Sequence, residues 1–191
     1  MTVKGYKAFD NDWACKDKQR EELQLEAVRQ NSLAIQFINN PSEKVQLEAV
    51  RQNGLAIYYI DNPSEAVQLV AVKQNDYVIK YIKNPSEKVQ LEAVQLETLR
   101  QNGWAIQHID NPSEKVKLEA VKQSSCAIKY IKNPSEKVQL EAVKQDGKTI
   151  YYIDNPSEAV QLSAVKQNGE AIRYIKNPSE KVQLEAVYLL H

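Results

Sequence analysis

The chain has 191 residues, 42% of them hydrophobic, with 25 Lys plus Arg against 25 Asp plus Glu. That length suffices for one domain or one continuous array with a buried core. A net charge of zero excludes a protein that works by bulk attraction to a polyanion, though it leaves room for a local basic face.

From the N-terminus, residues 1–17 read as a leader. It lacks an apolar signal core, and no apolar run in the chain reaches bilayer length, so a cytoplasmic protein with no membrane partner is expected. Tyr6, Phe9 and Trp13 supply apolar area for capping the start of the array. Cys15 and Cys126 form neither a metal cluster nor a disulfide framework, which points to a reducing compartment.

Residues 18–191 are a repeat. Asn-Pro-Ser-Glu recurs with prolines at 41, 63, 85, 112, 134, 156 and 178, spaced 22, 22, 27, 22, 22 and 22 residues apart. Residues 21–28 form a further copy without the proline, making about eight units. Each unit reads as two helices. Asn40 is the expected N-cap of helix A, with Pro41 at its first position and Glu43 closing a capping box. Asn53 and its equivalents are expected to leave helix A in the left-handed conformation. The next residue, Ser32, Gly54, Asp76 or an equivalent, then opens a short helix B.

Val45, Leu47, Ala49 and Val50 spread over about half of helix A, an arc suited to a helix packed on both sides. Gln46 falls inside that arc and recurs at 68, 90, 139, 161 and 183, with Lys117 the departure. A buried amide needs partners, so these are expected to bond turn backbone in the adjacent unit. In helix B, Ala56, Ile57 and Ile60 point inward. The expected fold is all-α: a right-handed α-solenoid of short helical pairs, of the HEAT or armadillo kind. Five extra residues near 94–98, Val-Gln-Leu-Glu-Thr, nearly duplicate 89–93 and are expected to lengthen one helix A. Residues 55–94 closely match 148–187, a second and longer period.

The unit Asn-Pro-Ser-Glu-x-Val-Gln-Leu-x-Ala-Val-Lys-Gln-Asn-Gly-x-Ala-Ile-x-Tyr-Ile resembles a 22-residue helical repeat of unknown function scattered through bacterial and bacteriophage proteins. The leader, Gly5 to Cys15, resembles the opening of some phage and prophage proteins. Those continue with an Arg-Gly-Phe-Gln type segment, where this chain has Lys16-Asp17-Lys18-Gln19. The resemblance implies a phage or prophage origin, action inside a bacterial host cell and a non-enzymatic protein that binds a host or defence component. It brings no catalytic residues with it.

Catalysis has no motif to rest on: two histidines, His108 and His191, and no phosphate loop, metal spacing or nucleophile elbow. The expectation is no enzyme, no cofactor and no metal. Recognition has more support, since eight of the ten tyrosines lie in B helices. One ladder runs Phe37, Tyr59, Tyr81, His108, Tyr130, Tyr152, Tyr174 and barely varies, which suits packing between units. A second runs Gln36, Tyr58, Lys80, Gln107, Lys129, Tyr151, Arg173, and a third Leu33, Leu55, Tyr77, Trp104, Cys126, Lys148, Glu170. Both vary while the core repeats, as a binding face does. The candidate binding residues are Tyr58, Tyr77, Lys80, Tyr81, Trp104, Gln107, His108, Lys129, Tyr130, Tyr151 and Arg173. Aromatics beside cations suit a protein hot spot first and single-stranded nucleic acid second. A purely structural array is the third reading. The tail, Tyr188-Leu189-Leu190, is expected to form a homodimer contact.

Overall fold

A computed structural model describes the backbone of residues 6–96 and 105–190, and the side chains of 17–96 and 105–190. It is all-helical over those residues, with no strand among them. The α-helices are α1 (Tyr6–Gln30), α2 (Glu43–Gln52), α3 (Glu65–Gln74), α4 (Glu87–Leu96), α5 (Glu114–Gln123), α6 (Glu136–Gln145), α7 (Glu158–Gln167) and α8 (Glu180–Leu190). α1 passes residue 17 without a break. Of the five-residue insertion, residues 94–96 continue α4, and the rest lies outside the described residues.

The chain forms two compact units, Met1–Lys83 and Asn84–His191. In the first, α1, α2 and α3 pack in sequence order; in the second, α4 to α8 do the same. Each is a short α-solenoid whose layers contact only their neighbours. The core is a stripe of small side chains: Val45, Ala49 and Val50 are fully buried, as are Val160, Ala164 and Val165 seven layers into the chain's repeat. Ala56, Ile57 and Ile60 close the other side, as their spacing predicts. Each buried isoleucine contributes roughly 1.5–3 kcal/mol before entropy is charged.

Among the described residues the second half of the repeat is a 3₁₀ helix rather than an α-helix, six residues long at Ser32–Phe37, Gly54–Tyr59 and Gly147–Tyr152. Six residues between two caps are too few for α-helical bonding to propagate, and the tighter i to i+3 pattern closes more of its bonds.

The caps also sit elsewhere than the sequence pattern suggests. Ser42, not Asn40, is the N-cap of α2: its Oγ accepts from Val45 N, and Ser64, Ser113, Ser135 and Ser157 do the same. Asn40 is the left-handed residue, at φ 50°, and all seven Asn-Pro asparagines share that conformation, between 47° and 53°. Asn tolerates it because its short amide bonds locally. Asn53, expected in the left-handed region, is extended at φ −149°. It ends α2 and caps the 3₁₀ helix at once, its Oδ1 accepting from Leu55 N at 3.0 Å. The following glycine therefore does not cap. Gly54 is needed for close approach: a Cβ there would stand 2.6 Å from Ala71 O, and at Gly147 it would stand 2.3 Å from Ala164 O.

Two glutamine rows hold the turns. Gln46 Nε2 donates to Pro41 O at 2.9 Å, within its own unit rather than the adjacent one, and 68, 90, 139, 161 and 183 repeat the bond to their own prolines. The links between layers come from the glutamine that ends helix A, which lies outside the apolar arc. Gln74 Oε1 accepts from Gly54 N at 2.7 Å, and Gln167 Oε1 from Gly147 N at 2.7 Å. Serine hydroxyls add to this: Ser42, Ser64, Ser135 and Ser157 donate to Glu21, Glu43, Glu114 and Glu136 of the preceding layer.

Candidate functional site

The 3₁₀ geometry decides which side chains share the outer face. At three residues per turn, positions i and i+3 eclipse. Leu55 and Tyr58, Tyr77 and Lys80, Lys148 and Tyr151, and Glu170 and Arg173 therefore stand one above the other. Within each unit the two variable ladders form one ridge, flanked by the last residue of each 3₁₀ helix, a tyrosine except at Phe37 and His108.

In the first unit this ridge gathers Tyr58, Tyr59, Tyr77, Lys80 and Tyr81. Tyr58 is 64% exposed, and its ring meets Tyr59 edge-on at 5.1 Å and Tyr81 of the next layer at 5.3 Å. Lys80 Nζ lies 3.7 Å from the centroid of Tyr77 and 4.7 Å from that of Tyr81. Contact with Tyr77, and then with Tyr81, holds its ammonium above the ordinary lysine range. The cation is thus presented on an aromatic platform, a geometry in which it is attracted to the ring faces.

The second unit repeats the arrangement. Tyr151, 67% exposed, meets Tyr152 at 5.2 Å and Tyr174 at 5.7 Å. Where the first unit has Tyr77, this one has Glu170, which binds Lys148 at 2.9 Å and stands 3.9 Å from Arg173. Lys148, and then Arg173, hold the Glu170 carboxyl below the usual range, while Glu170 raises Lys148. The two faces share a tyrosine trio and differ in how charge is arranged: the first sets a lysine on aromatic rings, the second an ion-paired carboxylate between two cations.

The remaining candidates lie earlier in the second unit. Lys129 Nζ sits 4.6 Å from the centroid of Tyr130, which raises its ammonium, and Gln107 bonds the His108 ring at 3.2 Å. Trp104 lies outside the described residues. Tyr59, Tyr152 and Tyr174, which the sequence assigns to packing, are 42%, 44% and 43% exposed and belong to the faces. The match of 55–94 to 148–187 is the sequence signal that could have found them. Asp61, Asp110 and Asp154 are exposed just beyond their 3₁₀ helices.

At the tail, Tyr188 is 80% exposed, whereas Leu190 reaches back so that its Cγ lies 3.1 Å from where a Cβ on Gly169 would stand. Among the described residues no His, Cys, Asp and Glu cluster is placed to hold a metal, and no helix is long and apolar enough to cross a membrane. No family model, curated protein or solved structure matches the chain.

Proposed function

We propose that the protein is a non-enzymatic scaffold that binds another protein through its two tyrosine faces. The observation that carries this reading is the paired trio, Tyr58-Tyr59-Tyr81 and Tyr151-Tyr152-Tyr174, left exposed in edge-on ring contact across neighbouring layers. Rigid tyrosines offer large contact area at low entropic cost, and aromatics with cations are the usual interface hot spots. The exposed aspartates beside the faces would repel a phosphate backbone, which favours a protein partner over nucleic acid. The resemblance to phage repeats supports a host protein as the target, blocked by occlusion of its surface.

The test is capture from bacterial lysate by the intact chain and by a Tyr58→Ala, Tyr151→Ala double variant. A protein retained by the first and lost by the second, at an unchanged melting temperature, is the expected result. Retention of oligonucleotides that falls steeply with salt, with no protein recovered, would replace this reading with the nucleic-acid one.

A further inference from the structure

Among the described residues two helix faces are left uncovered, and they are the two halves of one junction. In α2 to α7 the register positions of Val45, Ala49 and Val50 are buried in every helix. In α1 the first two are Leu23 and Ala27; both are exposed, Leu23 at 73%, while Val28 at the third is fully buried. α8 shows the converse. Val182 and Ala186 are buried, whereas Val187 is 54% exposed and Leu184, on the same side, 63%. α1 packs on α2 and α8 on α7, with no further helix beyond either among the described residues. Hence the Val45 and Ala49 positions meet the preceding helix, and the Leu47 and Val50 positions meet the following one.

We infer that α8 of one copy receives α1 of a second copy, head to tail, in the register of the interior junctions. The apolar halves match: Leu184 and Val187 are the surface that interior layers cover with a Val and Ala pair, and Leu23 and Ala27 are such a pair. One polar position matches as well. Where interior serines donate to a glutamate of the preceding layer, α1 carries Arg20 and α8 carries Glu180. A serine-to-carboxylate bond becomes an Arg20–Glu180 ion pair between copies. Glu22 stands where Lys44 and Lys181 pair with the preceding glutamate, so at this junction the lysine is replaced by a second carboxylate and Arg20 is the cation left to face Glu180. Two different surfaces meet, which makes the interface heterologous, and copies add until a ring closes or a chain extends.

Sedimentation velocity over a concentration series tests this with Leu23→Glu and Leu184→Glu, both at exposed positions, so circular dichroism should match the parent. The parent is expected to form species beyond the monomer. Each variant alone should be monomeric, its dissociation constant raised about 30-fold or more, as for loss of an interface centre. An equimolar mixture keeps one intact head and one intact tail, and it should give a dimer that grows no further. A parent that stays monomeric at every concentration overturns the inference. So does association of Leu23→Glu alone, which would mean tail-to-tail pairing, and association of both variants alone, which would mean contact through the tyrosine faces.

Discussion

Glycine at the start of the 3₁₀ helix shows how one atom decides a junction. Gly147 would place a Cβ 2.3 Å from a backbone oxygen, which cannot yield, whereas at Gly169 the nearest atom is the tip of Leu190, at 3.1 Å. Gly147→Ala should cost about 1–3 kcal/mol in denaturant unfolding, the usual range for overpacking. Gly169→Ala should stay within about 0.5 kcal/mol, since the side chain rotates and the unfolded chain loses entropy. Equal effects would contradict the close-approach account. The glutamine row gives a second test: Gln161→Ala removes the donor to Pro156 O and should cost about 1 kcal/mol. That these amides were structural was legible in their recurrence inside an apolar arc. Which carbonyl they reached was not, because own-turn and next-unit backbone are equally close in sequence pattern and differ only in space.

At the scale of the element, the caps are the measurable parts. Five of the 3₁₀ helices are capped by an Asn or Asp side chain, as at Asn53 and Asp146, but Ser124 makes no side-chain cap bond. Ser124→Asn should restore it and raise stability by about 0.5–1 kcal/mol, read by thermal or chemical unfolding. The junction of α1 with α2 carries a pH signature. Glu21 is held below its ordinary value, first by the hydroxyl of Ser42 and then by Lys44, 3.5 Å away. A depressed carboxyl contributes stability that is full above the unfolded value of 4.5 and is lost as pH falls through the lowered folded value. Ser42→Ala should therefore raise the Glu21 carboxyl in an NMR titration, and a value that does not move would place the cause elsewhere. Helix A was readable from its period because ten residues span nearly three turns. The 3₁₀ character of the second half was not, since six residues fit either period.

Over the whole chain, stability follows neighbours. α6 is covered on both sides and α8 on one, so in dilute protein the α6 amides should exchange more slowly than those of α8, by on the order of tenfold or more. Uniform protection would mean the layers open together and would contradict the nearest-neighbour picture. The binding faces depend on the same stacking. Tyr58 and Tyr81 belong to different layers and touch only because consecutive 3₁₀ helices pack, and so do Tyr151 and Tyr174.

The sequence by itself determined the helical class, the 22-residue period, the Val and Ala core and the outward lean of the tyrosines. Each of these is set by local pattern, which one strand of letters records. Tertiary structure alone decided where each cap falls, since Asn-Pro-Ser-Glu offers two cap residues and only the chain's path selects Ser42 over Asn40. It also decided that within each unit the variable ladders merge into one ridge, because the helical pitch fixes what eclipses what. The division into two compact units at Lys83 and Asn84 belongs to it as well. So does the complementarity of Leu23 with Leu184, residues whose repeat positions are covered elsewhere and which only neighbour packing reveals as open.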